Sequence, residues 1–377
     1  MDPLAHTLFG ATMAEAGLKR KTALATATLI IGANIPDVDA LAMFVSNDYA
    51  LFVRRGWTHG ILALLIWPFL LTGMMLGIDR LIEKRMQRKG KMREGPPMRP
   101  MVLLGIAFLG VLSHPLLDWL NTYGVRLLMP FDDTWFYGDT LFIIDPWFWL
   151  LAGAGVVLAR SESWKSISGW ILLGTAATAL IVSADVVPLA VKIIWLVGIA
   201  CIIVVRWSGR YRGATQPIAL VLLSALLFYI GFMIAGSAFT VKHARAHFSE
   251  KEIEVNQVLA NPLPSRILLR TGIAASDTHY HRFVINWMRP VSFEYWGDPI
   301  PIKEQDSVIE AAISSPDMRG MMNWIRFPLY ETRQLDDGWQ VIIRDLRYVQ
   351  PEQDTAIGIG LAIVELDNEL NVHSVRQ

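Results

Sequence analysis

Residues 1–239 read as long uncharged apolar runs broken by short basic clusters, and residues 240–377 as short alternating or β-branched runs. Gly60–Ile78, Ser166–Ala184 and Gly213–Val241 each reach the roughly 18–20 apolar residues that cross hydrocarbon. Met101–Leu117 is nearly as long and carries His114. Pro146–Ala159 is shorter, though apolar Leu141–Ile144 precedes it across Asp145. Val186–Val205 holds Lys192 close enough to one end for the ammonium to snorkel. These give six predicted spans.

The N-terminus has another rhythm. Leu4–Gly17 is apolar but short, Lys19, Arg20 and Lys21 follow, and Thr22–Pro36 is again uncharged. A signal peptide puts its basic residues ahead of the apolar run. The order here predicts two short helices joined at a basic tip, an αα-hairpin dipping into the bilayer. In the tail, Phe283–Trp287, Trp339–Ile343, Ile357–Leu366 and Val372–Val375 read as strands, with a turn near Asn368. Asp337-Gly338 before Trp339 is a hairpin signal. The fold class expected is an α-helical polytopic membrane bundle followed by a soluble, strand-rich α+β domain.

Composition supports the membrane reading. Hydrophobic types make up 53% of the 377 residues and charged types only 18%, against about 25% charged in soluble domains. The formal net charge is zero. Nothing favours a nucleic-acid partner, which would call for a basic excess to neutralise phosphates. The single cysteine, Cys201, excludes a disulfide framework, a cysteine-built zinc site and an iron–sulfur cluster. The zero charge hides two unlike parts: residues 1–239 hold 20 Lys+Arg against 15 Asp+Glu, and residues 240–377 hold 14 against 19. Three segments follow: a helical membrane domain over 1–150, additional transmembrane helices over 151–239, and a separate domain over 240–377.

Seven Lys/Arg lie in Glu83–Arg99, which places that loop in the cytoplasm. Counting spans then puts Arg160–Lys165, Arg206–Arg212 and the tip Lys19–Lys21 on the same side. The connection Asn121–Asp145 and everything after Val241 are expected outside, so the expected location is the inner membrane with a periplasmic tail.

Ionisable groups at membrane depth are rare and usually functional. His6, Asp37, Asp39, His59, His114 and Asp118 are such groups. At 1.5 Å per residue, His6 lies about 21 Å and Asp37 about 25 Å above the tip at Arg20, and His114 about 22 Å above Arg99. His59 opens a span from the outer side. All converge near one level, towards the outer leaflet. His114 and Asp118, spaced i, i+4, share a helix face, though Pro115 is expected to kink the span. Imidazole and carboxylate without thiolate suit a catalytic zinc, manganese or iron site. Asp37 and Asp39, spaced i, i+2, do not share a helix face, so one is expected to ligate and the other to orient a histidine or hold a second ion. Taken singly, each motif has an ordinary reading: a histidine at a helix end as a cap, and acidic residues after Pro36 as a helix start.

His6-Thr-Leu-Phe-Gly, Asn34-Ile-Pro-Asp-Val-Asp39, Trp57-Thr-His-Gly60 and Ser113-His-Pro-Leu-Leu-Asp118 together resemble the membrane-bound metal-dependent hydrolases, the YdjM-like family. The resemblance covers residues 1 to about 150 best. Arg326-Phe-Pro-Leu-Tyr330 and Arg344-Asp-Leu-Arg-Tyr348 look like the extracytoplasmic tail of longer members. That family is itself similar to the all-α zinc-dependent phospholipases C and single-strand nucleases, which implies a phospholipase C-like helical core. It also implies a ligand set of His6, Asp37, His59, His114 and Asp118, with Asp118 able to bridge two ions. Those soluble enzymes draw further ligands from later histidines, whereas here none occurs between His114 and His243. Asp139 and Asp145 are the candidate substitutes, and Asp132 and Asp133 lie in the same connection. The resemblance therefore supports one or two divalent ions, zinc first and manganese second, rather than three.

The expected chemistry is attack of an activated water on an ester or phosphoester, with whichever of Asp37 and Asp39 does not ligate accepting the proton. Arg54 and Arg55 are candidates to clamp an anionic head group, or serve as interfacial anchors. The outer-leaflet level suggests membrane lipids or a lipid-linked molecule as substrate. Two other classes compete: an ion-coupled transporter, for which the chain shows no inverted repeat, and a non-enzymatic protein presenting a periplasmic binding domain. In the tail, the pairs His243/His247 and His279/His281 are read mainly as surface polar residues. Trp287, Trp296, Trp324 and Trp339 are read mainly as core packing.

Overall fold

Short polar caps start several of the helices in the computed structural model, which describes residues 1–92, 94–288, 290–348, 351 and 358–377. Asp2 accepts the Ala5 N–H at 3.0 Å and Pro3 opens α1 (Pro3–Glu15), as expected at a helix N-terminus. Then come α2 (Ala25–Gly32), a 3₁₀ segment (Ile35–Phe44) and α3 (Asn47–Val53), the last capped by Ser46. The long helices are α4 (Ile61–Arg88), α5 (Pro100–Trp119), α6 (Pro146–Arg160), α7 (Trp164–Ser183), α8 (Leu189–Ser208) and α9 (Thr215–Glu250).

Among the described residues, five helices are long and apolar enough to cross a membrane: α4, α5, α7, α8 and the stretch Arg212–Glu250 that contains α9. The count is six if α2 and the 3₁₀ segment, bent by 43° at their junction, form one broken span. At 15 residues α6 is a shorter apolar helix, and at 13 residues α1 is about 20 Å long, too short to cross alone. The chain turns back between α1 and α2, as the basic tip predicts. α4 continues as helix to Arg88, further than its apolar run, because Lys, Arg, Glu, Met and Gln are good helix formers and basic residues suit the last turn. α5 continues through Pro115 without a break. Leu70, Ile171, Leu172, Val204 and Phe228 are exposed on the helices, an exterior suited to lipid rather than water.

Contacts group the chain into two units. The helical unit comprises Met1–Pro36, Thr58–Ala235 and Leu263–Ile267. Its core contains Leu8, Phe9, Leu29, Phe148, Trp149 and Leu226, with a second cluster around Leu71, Met75 and Leu103. At one end of this unit the basic clusters meet. Glu15, 1% exposed, accepts from Lys19 and from Arg160 Nε at 2.6 Å. Arg206 donates to the Ser161 carbonyl, and the Arg99 N–H donates to Thr22. All four basic segments thus lie at the same end.

The strand-rich unit comprises Asp37–Trp57, Gly236–Pro262 and Leu268–Gln377. One antiparallel sheet has the order β1 (Gln257–Pro262), β2 (Leu269–Ala275), β3 (His279–Asn286), β4 (Ser292–Tyr295), with β5 (Ile300–Pro301) also paired to β3. After α10 (Ser307–Ile313) and α11 (Arg319–Trp324), a second sheet follows in the order β6 (Pro328–Leu335), β7 (Gly338–Asp345), β8 (Leu361–Asp367), β9 (Val372–Arg376). β6 and β7 form the hairpin signalled by Asp337-Gly338, with Leu335 opposite Gly338. Gly338 has φ +156° and a Cβ there would lie 2.0 Å from the Leu366 carbonyl oxygen, so only glycine fits. The predicted strand Ile357–Leu366 is present from Leu361; Ile357 lies outside the described residues.

The segment around α3 joins this unit rather than the helical one. Asp48 accepts the N–H groups of Gly320 at 2.7 Å and Met321 at 3.0 Å, a carboxylate at the start of α11. The end of α9 contributes Ala244 and Phe248 to a core with Val258, Phe283 and Ile285. The two arginine-rich motifs of the tail meet in a buried network. Asp345 accepts from the Arg326 N–H at 2.9 Å, and from Arg347 Nε at 2.9 Å and Nη2 at 2.7 Å. Arg347 also donates to the Trp324 carbonyl and lies 4.4 Å from the Trp324 ring centre.

Candidate metal centre

Close backbone packing builds the site. A Cβ on Gly10 of α1 would lie 2.8 Å from the Leu29 carbonyl oxygen of α2. On Gly32 of α2 it would lie 3.1 Å from the Val111 nitrogen of α5. Small residues therefore let three helices approach closely, as they do in membrane interfaces generally. One result is that Ala33, just past the end of α2, offers its carbonyl to His114 Nδ1 at 2.7 Å. A carbonyl only accepts, so Nδ1 donates to it and Nε2 is the ring nitrogen turned inward.

Around that nitrogen the predicted residues gather. His59 Nε2 lies 3.1 Å from His114 Nε2. Asp118 Oδ2 lies 3.4 Å from His59 Nε2 and 3.5 Å from His114 Nε2. Asp37, which follows Pro36 in the chain, joins them: one ligand atom from each of Asp37, His59, His114 and Asp118 lies within 4.8 Å of the others. The two histidines and Asp118 are fully buried. His59 Nδ1 is 2.9 Å from Thr58 Oγ1, which fixes the ring from behind.

His6 stands beside this group. Its Nε2 is 3.2 Å from Asp118 Oδ1, and its ring stacks on His114 with centres 3.9 Å apart. Its buried Nδ1 has no hydrogen-bond partner among the described residues. Asp118 thus presents one oxygen to His6 and the other to His59 and His114, and the Met1 α-amino group also pairs with Oδ1. Imidazole nitrogens and carboxylate oxygens converging in a buried place fit a zinc-type divalent ion.

The other predicted residues are placed differently. Asp39 Oδ2 accepts the Arg55 N–H at 2.8 Å, which holds the 3₁₀ segment to the turn before Trp57. Arg54 Nη2 is 3.4 Å from Asp37 Oδ1. Arg55 is buried, at 3% exposure, with φ +51°. Asp139 and Asp145 are not among the four converging ligands. Asp145 caps α6 through the Phe148 N–H at 2.9 Å and accepts from the Tyr229 hydroxyl at 2.8 Å. Burial raises its carboxyl to about 6, against the lowering effect of those two bonds. In the tail, His247 stacks on Phe293 at 3.9 Å and His243 meets the Trp287 ring edge. His281 packs on Phe248, and burial holds it below the ordinary imidazole range. The roles of Ala33 and Thr58 carry no distinct sequence signal, since the first acts through a backbone carbonyl and the second through an ordinary hydroxyl beside His59.

Gly60 anchors the loop that carries His59, since a Cβ there would lie 2.2 Å from the Met129 carbonyl oxygen. Gly60→Ala is expected to cost about 1–3 kcal/mol, the usual cost of overpacking. Thermal melting in detergent checks this, and an unchanged midpoint contradicts the packing assigned to the loop.

Fold and site together define a multi-pass helical membrane protein with a buried histidine–carboxylate cluster. The chain belongs to the YdjM inner membrane protein family, whose model matches residues 1–191. It is also similar to a protein of Synechococcus sp. (strain JA-3-3Ab) named glycerol-3-phosphate acyltransferase, with 30% identity over 97 residues. That match covers 26% of this chain and 48% of the relative, so the chain spans about half of that protein's length. No solved structure matches the chain.

Proposed function

We propose that this protein is a metal-dependent hydrolase of the inner membrane that cleaves an ester or phosphoester, with a lipid or lipid-linked molecule as substrate. The observation that carries the reading is the convergence of Asp37, His59, His114 and Asp118 within 4.8 Å. These four would hold the first ion, and the second face of Asp118, towards His6, suits a bridging carboxylate and a second ion. Zinc fits the donor set best, and manganese is the alternative. A bound divalent ion supplies Lewis acidity and a water of lowered pKa.

The chain's own groups do the rest. Ala33 and Thr58 orient the two imidazoles. Arg54 steadies Asp37 and remains partly exposed, which suits contact with an anionic substrate group. Asp39, tied to the Arg55 backbone, shapes the segment that carries Asp37 and is the candidate proton acceptor. The shared end of the basic clusters faces the cytoplasm in this reading, and the strand-rich unit is extracytoplasmic. The Synechococcus relative's name keeps phosphate-bearing glycerolipids in view as a substrate class.

The test is turnover of phosphoester lipids by the purified protein in detergent micelles, before and after chelator treatment and zinc restoration. Turnover that disappears with chelation and returns with zinc is expected. Turnover confined to a soluble cytoplasmic substrate contradicts the lipid assignment, and chelator-insensitive turnover contradicts the metal.

A further inference from the structure

A second site lies in the helical unit, on the far side of α1 from the metal cluster. Leu4 and Leu8 line it from α1, and His6, two residues from each, points about 200° away. α6, α7 and α8 supply the other walls of a cleft of about 910 Å³, near the upper end of the roughly 300–1,000 Å³ of ligand sites. The cleft is apolar along its length and charged at one end. From Ile167 to Val182 the α7 wall is about 22 Å long, longer than the roughly 15 Å of hydrocarbon in one leaflet.

One end carries cation and indole together. Arg206, Ser161, Trp170 and Trp207 line it. Arg206 is pinned by one Nη2 bond to the Ser161 carbonyl at 2.6 Å, which fixes the guanidinium at the mouth. Lys165 lies over the Trp164 ring close by in sequence, 5.9 Å from its centre. Indoles at that level match the interfacial belt of membrane proteins, and an oriented guanidinium matches a phosphate. The opposite end, at Trp149 and Trp195, has no charged lining residue. An occupant must therefore be long, apolar and anionic at one end.

We propose that the α6–α7–α8 cleft binds one anionic phospholipid, its phosphate at Arg206 and one acyl chain along α7 towards Trp195. The site is independent of the metal reading. Because Leu4 and Leu8 form part of its wall, the bound chain braces the helix that carries His6.

Two glycines make the test clean. A Cβ on Gly174, in the cleft, meets nothing within 4 Å, and neither does one on Gly169, on the same helix but outside the lining. Native mass spectrometry of the full chain in mild detergent would follow retention of added phosphatidylglycerol, phosphatidylcholine of the same chains, and inorganic phosphate. One phosphatidylglycerol per chain is expected, held roughly tenfold tighter than phosphatidylcholine, whose choline cation offsets the charge that its phosphate presents to Arg206. Arg206→Gln should erase that preference, and Gly174→Phe should abolish retention of both lipids while Gly169→Phe leaves it intact. Gly153→Leu, whose Cβ meets only Leu8 at 3.8 Å, repeats the blocking test if Gly174→Phe fails to fold. Equal retention of the two lipids, retention unchanged in both blocking variants, or full competition by inorganic phosphate overturns the proposal.

Discussion

Asp118→Asn is expected to lower turnover by roughly 10³-fold, the several kcal/mol that metal assistance supplies. The carboxylate is fully buried on an apolar helix and faces three imidazoles, through Oδ1 to His6 and Oδ2 to His59 and His114. An amide keeps the volume but loses the charge and one acceptor, so it cannot bridge through two oxygens and offers only a weaker, neutral ligand. His279→Ala, on β3 of the tail, is the matched control and should leave turnover unchanged. Initial rates on a phosphoester lipid, with helicity confirmed by circular dichroism, read the effect. Equal rates in Asp118→Asn and the unmodified protein would remove Asp118 from the chemistry.

The second large effect is on stability, in the strand-rich unit. Asp345 is fully buried and receives the Arg326 and Arg347 N–H groups together with the Arg347 guanidinium. Asp345→Ala leaves a buried arginine without its carboxylate, a change that typically costs about 3–5 kcal/mol. The expected outcome is loss of the tail's cooperative unfolding transition while the helical unit keeps its far-ultraviolet signal. The paired change Asp345→Leu with Arg347→Met should restore much of the loss, because an apolar pair removes the stranded charge. If Asp345→Ala melts like the parent, the network contributes little to stability.

Much of this was readable from residue order alone. Five of the six expected spans follow from uncharged runs, while the run Pro146–Ala159 forms the shorter α6; the turn at the basic tip follows from Lys19–Lys21, and the level of the cluster from counting helical rise. The selection of Asp37 over Asp39 was not readable, because Asp39 is claimed by a backbone N–H on a turn at positive φ. Nor does the sequence reveal that residues 37–57 join the tail: Asp48 meets Gly320 across 272 positions. β2 escaped recognition because Gly272 interrupts its pattern, yet that glycine is required where the Phe283 ring lies over the strand. Asp145 looked like a ligand by type and turned up capping α6, the more frequent use of an aspartate beside Pro146.

His59, His114, Asp118 and Asp37 are proposed to hold a metal ion. Metal content per chain, measured by elemental mass spectrometry on chelator-free, detergent-purified protein, tests it directly. One or two zinc or manganese ions per chain are expected, lost in both His114→Ala and Asp118→Ala with helicity retained. Well-folded protein without stoichiometric metal, or metal undiminished in both variants, would contradict it.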